Sequence, residues 1–250
     1  MNGVEFQSIK PGKELSDVVE SFWMLRNRDT ADRQVIVLPD GRIDLIFSHS
    51  PTQPFHATLL GIGTHPDKAI LEHGVVMCAV SFRLPAAEYV LHRSISALLN
   101  DAERLPPGFW NFDAADLHDF GHFCAKASHS ILSAMQAEID NRKRALFELV
   151  YASNGALTVQ ELSGKVYWSS RQINRYFNNA FGLSLKAYCN ILRFRASFEH
   201  IHAGRLFPEE AFADQSHFIR EVKRLSGVLP KELSRNQNDR FIQFSTLRKK

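Results

Sequence analysis

The sequence lacks the features that mark secreted, membrane-spanning and metal-clustered proteins. Its three cysteines, Cys78, Cys124 and Cys189, are far apart and form no Cys-x-x-Cys pair, so they predict neither a disulfide framework nor a zinc cluster. No stretch approaches the ~18–20 apolar residues that a membrane span requires, and the first residues lack the apolar run of a signal peptide. We therefore expect a soluble protein of the reducing cytoplasm that makes no contact with a membrane.

The sequence motifs of common enzymes are also missing. The chain contains no GxGxxG, P-loop, GxSxG or HExxH motif. His118 and His122, with His129 further along, have a spacing that can hold a metal on a helix. Gly121 weakens that helix and Asp119 is the only nearby acid, so a polar face of a helical connector is the favoured alternative. The sequence thus predicts a protein that is not an enzyme, with no metal site and no cofactor.

Charge is distributed unevenly along the chain. Residues 1–150 contain 14 Lys and Arg against 19 Asp and Glu, a balance of −5, whereas residues 151–250 contain 16 against 8, a balance of +8. The net charge of +3 conceals this difference. A basic half joined to an acidic half favours a polyanion as the partner of the basic half. The alternative is a basic domain that is simply well solvated.

The first 83 residues predict mainly β-strands. Residues 35–39 and 43–47 are apolar and flank Asp40-Gly41, a dipeptide that accepts the positive φ angles of a tight hairpin turn. The remaining predicted elements are strands over residues 57–62 and 75–82, a helix over residues 86–99, and a helical connector over residues 116–151 with a break near Asp140.

The second half contains a duplicated pattern. Residues 169–188 align with residues 214–233 at a constant offset of 45 positions, from Ser169 to Asp214. The matched positions are Ile173 with Phe218, Arg175 with Arg220, Phe177 with Val222, Gly182 with Gly227 and Lys186 with Lys231. Two copies of one short helix, each opened by a capping residue and closed by glycine, indicate one surface that is presented twice. Such a surface suits a polymer with a repeating lattice.

Helix-start signals sharpen this prediction. Thr158-x-x-Glu161 and Ser169-x-x-Gln172 are capping boxes, in which two side chains satisfy backbone NH groups at a helix start. Periodicity predicts a helix over residues 170–181 that Gly182 ends, followed by a long helix over residues 184–203. The predicted inward residues are Ile173, Phe177 and Ala180 in the first copy and Phe218, Val222 and Leu225 in the second.

The outward faces carry side chains that can read DNA bases. A major groove ~12 Å wide admits one α-helix, in which Arg can pair with guanine and Asn or Gln with adenine. The predicted base-reading residues are Arg171, Asn174, Arg175, Gln215, Ser216 and Arg220; the predicted backbone contacts are Ser169, Lys186, Lys223, Arg224 and Lys231.

The connecting helix has a length that suits two such contacts. About 20 residues at ~1.5 Å rise give roughly 30 Å, close to the ~34 Å between successive major-groove faces. Both reading helices can then enter adjacent major grooves of one duplex. The alternative is an all-α module whose basic face only meets solvent.

Residues from about 155 to 235 resemble the AraC/XylS family of bacterial transcription regulators. The resemblance is carried by residues 157–162, by Ser169-x-Arg171-x-x-x-Arg175-x-Phe177, by Gly182-x-Ser184 with Tyr188, Arg193 and Ala196, and most specifically by Asp214-Gln215-Ser216-His217-Phe218-x-Arg220 with Lys223-Arg224, Gly227 and Pro230. It implies two helix-turn-helix units joined by a long helix, with the second helix of each unit in the groove. The chain departs from the family before Asp214, where residues 205–213 leave room for about one helical turn and Ala211 holds the usual glycine position.

Residues 37–47 and 81–85 resemble a β-rich domain that precedes such units in some bacterial regulators. By analogy, the resemblance implies that this half binds a small-molecule effector, forms a homodimer, or does both, and that an activator would also contact RNA polymerase. We therefore predict an α+β protein with a β-rich domain over residues 1–112, a helical connector over residues 113–152 and an all-α DNA-binding domain over residues 153–250.

The expected function is sequence-specific binding of double-stranded DNA by a cytoplasmic transcription regulator. Two alternatives remain open. A DNA alkylation-repair protein that uses the same module needs an activated, usually metal-clustered cysteine, which the isolated cysteines do not supply. A sensor or scaffold whose DNA-binding module is weakened would account for the shortened second unit.

Overall fold

The β-strands of the first half form two antiparallel sheets. The computed structural model describes residues 3–135, 137–209 and 211–247. A six-stranded sheet has the order β1-β2-β7-β4-β5-β8, and β3 pairs with β6 in a separate sheet. The strands are β1 (Val4–Ile9), β2 (Val19–Asn27), β3 (Arg33–Val37), β4 (Ile43–His49), β5 (His56–Leu60), β6 (Asp67–Leu71), β7 (Val76–Phe82) and β8 (Ala102–Arg104).

Side chains of the large sheet alternate between two apolar clusters, as the period of a β-strand requires. Phe22 and Met24 of β2 join the main core, together with Phe47 of β4. Leu25 of β2 instead joins a small cluster with Val35 of β3 and its neighbours on β6. The two-stranded sheet thus covers part of the opposite face of the large sheet.

The second half of the chain is helical, and further helices lie earlier in the chain. The α-helices are α1 (Ala86–Tyr89), α2 (Phe120–Ala134), α3 (Asn141–Ala152), α4 (Val159–Val166), α5 (Ser170–Phe181), α6 (Leu185–Ala196), α7 (Phe198–His202), α8 (Gln215–Ser226), α9 (Pro230–Arg235) and α10 (Ile242–Thr246). The protein therefore has the predicted α+β architecture, with a β-rich first half, accessory helices and a helical second half. No helix in the described ranges is long and apolar enough to cross a membrane.

The predicted hairpin around Asp40-Gly41 is wrong. β3 pairs with β6, whereas β4 pairs with β5 and β7, so the two flanking strands belong to different sheets. Gly41 has φ 75°, but it serves a long-range contact. A Cβ atom on Gly41 would lie 3.1 Å from a ring carbon of Tyr188 in α6, and the Tyr188 hydroxyl donates a hydrogen bond to the Gly41 carbonyl (3.0 Å). The glycine permits a helix of the second half to approach the sheet closely.

The predicted helix over residues 86–99 is wrong beyond its first turn. α1 ends at Tyr89, and only one short 3-10 turn, Ser96–Leu98, follows within that stretch. Ile95 N donates to the carbonyl of Ala180 (2.9 Å), and the Ser94 hydroxyl donates to the carbonyl of Asn179 (2.7 Å). Hydrogen bonds to α5 therefore replace the local hydrogen bonds of a continuous helix.

The predicted helical connection over residues 184–203 is present with one interruption. α6 ends at Ala196 and α7 begins at Phe198, and Ser197 between them has φ −75° and ψ −8°. The Ser197 hydroxyl donates to the carbonyl of Phe194 (2.5 Å), a back-bond of the kind that bends helices. The connection is thus two helical segments.

One apolar core extends through both halves. It includes Phe47 and Phe82 of the large sheet together with Phe177 of α5 and Phe218 of α8. At the end of the described chain, the Gln243 side chain accepts from the NH (3.0 Å) and donates to the carbonyl (2.9 Å) of Leu38. The helices are therefore packed firmly on the sheets, while the domain boundaries near residues 112 and 152 stay a prediction.

Candidate nucleic-acid interface

The first helix-turn-helix unit, here unit 1 (residues 158–182), starts both of its helices with the predicted capping boxes. In α4, Glu161 N donates to the Thr158 hydroxyl (3.2 Å) and Thr158 N donates to the Glu161 carboxylate (2.7 Å). In α5, Gln172 N donates to the Ser169 hydroxyl (3.3 Å) and Ser169 N donates to the Gln172 side-chain oxygen (3.0 Å). These reciprocal bonds satisfy NH groups that have no partner within the helix, and they set the first residue of each helix.

The amphipathic pattern of α5 holds in the structure. Ile173 and Phe177 are buried as predicted, and Phe181 completes the inner face, with Ala180 only partly buried. Arg171 and Arg175 are exposed and Asn174 is half-buried at the edge of the outer face. The N-terminal half of α5 thus presents its predicted reading side chains to solvent.

The second unit, here unit 2 (residues 203–227), has α8 at the position that α5 has in unit 1. The Asp214 carboxylate accepts a hydrogen bond from His217 N (2.7 Å) at the start of α8, and Phe218, Val222 and Leu225 are buried as predicted. Ser216 and Arg220 are exposed. Both α5 and α8 have 12 residues, and each ends at a glycine with φ 77°.

Gln215 is engaged with its own unit. The residue is half-buried, and its side-chain nitrogen donates to the carbonyl of Leu206 (2.9 Å). Its side-chain oxygen is buried and has no hydrogen-bond partner among the residues described. Bidentate pairing with adenine uses both ends of the amide, so Gln215 must leave Leu206 before it can read a base.

The segment of unit 2 before α8 was predicted to leave room for about one helical turn. Residues 203–209 and 211–214 contain no α-helix. Phe207, at the position equivalent to the fully buried Leu162 of α4, is 74% exposed. α8 packs instead against α6 and α9. The support that α4 supplies in unit 1 therefore comes in unit 2 from α6, from α9 and from Phe212, whose ring centroid lies 5.2 Å from that of Phe218.

Six of the predicted DNA-contacting cations are free to meet phosphates or bases. They are exposed and form no ion pair with any carboxylate of the described chain: Arg171, Arg175, Lys186, Arg220, Lys223 and Lys231. Arg224 is different, because its guanidinium binds both carboxylate oxygens of Glu221 (3.2 and 2.8 Å). Ser169 is exposed, but its hydroxyl already caps α5.

A groove of about 650 Å³ beside α5 was not foreseen from the sequence. Its lining includes Arg175 and Trp168 of unit 1 and Glu88, Arg93 and Lys143 from earlier in the chain. The Lys143 ammonium binds both oxygens of the Glu88 carboxylate (2.6 and 2.7 Å). These residues are brought together only by the packing of the two halves, so no local pattern marks them.

A second cavity, of about 720 Å³, lies between the halves and contains a charged cluster. The Glu20 carboxylate of β2 contacts Arg195 of α6 (2.7 Å), Lys10 (2.9 Å) and Arg83 (3.0 Å). Burial would raise the pKa of Glu20, but the charges of Arg195, Lys10 and Arg42 outweigh it and hold this pKa well below its ordinary range. Glu20 therefore stays ionised and links the sheet to the connection between the two units.

The three cysteines are buried. Burial raises the pKa of Cys78 and Cys124 to about 12 and that of Cys189 to about 11. A thiolate is the nucleophilic form of cysteine, so these side chains are poorly suited to accept an alkyl group at neutral pH.

The histidines of α2 do not form a metal cluster. Within the described ranges, no three His, Cys, Asp or Glu side chains are arranged to hold a metal ion. His122 instead lies 3.1 Å from the carboxylate of Asp116, which also accepts a hydrogen bond from Lys126 (2.7 Å).

Comparison with known proteins gives one family match and several structural similarities. Residues 7–103 match a domain of unknown function, DUF6597. A 1.65 Å structure of ToxT from Vibrio cholerae is 12% identical and covers 91% of this chain and 97% of its own, with a TM-score of 0.49. ToxT from Vibrio cholerae O395 is 11% identical and covers 95% and 99%, with a TM-score of 0.45. In complex with (E)-4-(8-methylnaphthalen-1-yl)but-3-enoic acid, ToxT gives 12% identity, 91% and 97% coverage and a TM-score of 0.47. No curated protein matches this chain.

Proposed function

We propose that this protein is a sequence-specific, DNA-binding transcription regulator of the AraC type, which inserts α5 and α8 into adjacent major grooves of one duplex. The observation that carries the proposal is the structural duplication. Two 12-residue helices begin at side-chain caps, end at glycines with φ 77°, and expose an arginine at the same position, Arg175 and Arg220. A helix that enters a major groove reads base edges mainly with its N-terminal residues, and both arginines lie in the first half of their helix.

Each reading helix has a defined set of contacts in this proposal. Arg171, Asn174 and Arg175 read bases from α5, and Ser216 and Arg220 read bases from α8. Gln215 joins them after its amide leaves Leu206. Phosphate contacts come from Ser169, Lys186, Lys223 and Lys231, and from Arg224 in competition with Glu221. Phosphate contacts fix the register on the duplex, and base contacts supply the sequence preference.

The first half has the role of sensing in this proposal. The cavity around Glu20 is the candidate effector site, because its lining combines charged groups with apolar side chains such as Phe6, Leu192 and Phe198. A small molecule there would touch both the sheet and α6. Homodimer formation and contact with RNA polymerase stay predictions that follow from the family resemblance.

The decisive experiment is the selection of bound sequences from a pool of random duplexes, with the full-length protein. We expect two half-motifs about one helical turn, ~10.5 bp, apart. The affinity for the selected duplex should fall by orders of magnitude as salt rises from low to moderate concentration, because each neutralised phosphate releases counterions.

The matched control is the triple variant Arg171→Ala, Arg175→Ala and Arg220→Ala. All three side chains are exposed, so the variant should fold like the parent and yet enrich no motif. Failure of the parent to enrich any motif would contradict the proposal and favour a sensor or scaffold with a weakened reader. Methyl transfer from alkylated DNA to the protein would favour the repair alternative, against which the buried cysteines argue.

A further inference from the structure

Two segments of the first half lie at the ends of both reading helices. They are residues 61–66, which follow β5, and residues 94–100, which precede β8. We refer to them together as the rim. The rim contacts α5 and α8 at equivalent positions of the duplicated pattern, Gly182 and Gly227, which are 45 residues apart.

The contact with α5 is made of hydrogen bonds and close packing. Ile95 N donates to the carbonyl of Ala180 (2.9 Å), and the Ser94 hydroxyl donates to the carbonyls of Asn179 (2.7 Å) and Ala180 (3.2 Å). The last carbonyls of a helix have no partner within it, so the rim supplies part of the C-terminal cap of α5. A Cβ atom on Gly182 would lie only 2.8 Å from the carbonyl oxygen of Ser96. No side chain fits between the rim and this helix end.

The rim approaches α8 through an apolar side chain. A Cβ atom added at Gly227 would lie 3.6 Å from Cγ of Pro66, so the Pro66 ring lies beside this glycine. Pro66 therefore stands next to the residue that ends α8, just as Ser96 stands next to the residue that ends α5.

Asn100 joins the two segments of the rim into one body. Its side-chain oxygen accepts hydrogen bonds from Thr64 N (2.7 Å) and from the Thr64 hydroxyl (3.0 Å), and its own NH donates to the carbonyl of Ile62 (2.9 Å). Gly61 lies so close to Leu98 that a Cβ atom would come within 1.9 Å of the Leu98 carbonyl oxygen. Hydrogen bonds and close packing thus join the segment beside α5 to the segment beside α8.

We propose that the rim sets the distance between the two reading helices, with Asn100 as the positioning residue. The inference rests on the proposed DNA-binding function and extends it, because it assigns spacing selectivity to the first half. α6 and α7, which connect the units, are separate helical segments that meet at Ser197. A rim that is hydrogen-bonded to the end of α5 and lies beside the end of α8 fixes their separation independently of the bend at Ser197. The spacing of half-motifs in the preferred operator is then fixed by the sheet domain as well as by the connecting helices.

The test compares affinity for a single half-motif with affinity for two half-motifs at a series of spacings, using duplexes built from the selected sequence. Asn100→Gly removes the bridging oxygen and tolerates the positive φ of 60° at this position. Asn100→Asp retains an acceptor oxygen and is the matched control. Pro66→Ala removes the contact atom near Gly227 without touching the hydrogen bonds of Asn100.

We expect the parent to prefer its best spacing over the next by about tenfold, equivalent to ~1.4 kcal/mol. Asn100→Gly should reduce that preference to about twofold and leave single-half-motif affinity within about twofold of the parent, since the reading residues are untouched. Asn100→Asp should retain the preference, and Pro66→Ala should weaken it partially.

An unchanged spacing profile in both Asn100→Gly and Pro66→Ala would overturn the inference, as would a parent that binds all spacings equally. If Asn100→Gly does not fold, the Pro66→Ala profile decides alone. A parent that binds specific duplexes with no spacing preference leaves sequence-specific DNA binding intact, but not the insertion of α5 and α8 into adjacent grooves. A parent that binds no specific duplex overturns both.

Discussion

α5 of unit 1 packs on α4, a helix whose start is held by a capping box. α8 of unit 2 instead packs against α6 and α9, and the described residues before it, 203–209 and 211–214, contain no α-helix. The reading helices themselves match in length, in capping and in the position of their exposed arginine. The two units thus share a surface and differ in what stands behind it. A helix needs a buried face and satisfied ends to be stable, and these can be supplied by different neighbours.

The difference has a consequence at the start of α8. Gln215 occupies the position equivalent to Ser170 of α5, and its amide holds the carbonyl of Leu206. In unit 1 the corresponding region is kept in place by apolar packing of Leu162. In unit 2, a side chain of a type that can pair with a base is therefore engaged in a hydrogen bond within the unit.

The largest expected difference between the units concerns stability. Leu162→Ala should lower the free energy of unfolding by about 2–5 kcal/mol, since it opens a cavity at a fully buried position. The equivalent change in unit 2, Phe207→Ala, should cost less than about 0.5 kcal/mol, because that side chain is 74% exposed. Urea denaturation of both variants measures the two values. A comparable loss in Phe207→Ala would mean that residues 203–209 are packed like a helix in solution.

The second expected difference between the units concerns the bases that Arg175 and Arg220 contact. Arg175→Ala and Arg220→Ala should each reduce affinity for the selected duplex by about 1–3 kcal/mol and relax base preference at one position. The positions affected should lie in different half-motifs. Titration against duplexes with single base changes identifies them, and Arg93→Ala, outside both reading helices, is the control. If both variants bind like the parent, the assignment of reading helices is wrong.

Much of this comparison could be predicted from local sequence. The bounds of α5, both capping boxes, the inner face of α8 and the closing glycines follow from signals within a few residues, and the structure confirms them. The shortened start of unit 2 was also predictable from the length of residues 205–213. These features depend on backbone NH groups at the helix starts and on the apolar periodicity within a few residues. Packing against other elements changes neither of them.

Other features escaped prediction because distant residues determine them. Asp40-Gly41 has the composition of a hairpin turn, but Gly41 accommodates Tyr188 of α6. Residues 86–99 were predicted as one helix, but Ser94 and Ile95 form hydrogen bonds to the end of α5. The hydrogen bond from Gln215 to Leu206, and the position of the rim at the ends of α5 and α8, also depend on tertiary packing. In each case a tertiary hydrogen bond or contact outweighs a local preference worth less than about 1 kcal/mol.

A smaller effect distinguishes the two helix starts. Ser169→Ala removes the hydroxyl of a reciprocal capping box, and Asp214→Ala removes a carboxylate that caps α8 alone. Each should cost about 1 kcal/mol of unfolding free energy. We expect amide hydrogen exchange to rise in the first turn of α5 in one variant and of α8 in the other. Ser169→Asp, which retains a capping oxygen, should keep the protection of α5; equal exchange in parent and Ser169→Ala would contradict a role for the box.

The smallest expected effect concerns Lys186 and Lys231, which follow their reading helices at equivalent positions and are both exposed without an ion pair in the described chain. If each neutralises one phosphate, Lys186→Ala and Lys231→Ala should each weaken binding uniformly across sequences and reduce the slope of log affinity against log salt by about 1. Lys→Arg at either position should retain the slope. The double variant tests whether both units touch DNA at the same time, since simultaneous contacts make the two reductions additive. A loss of slope in Lys186→Ala alone would show that unit 1 holds the backbone while unit 2 does not, and would extend the difference between the units from their support to their function.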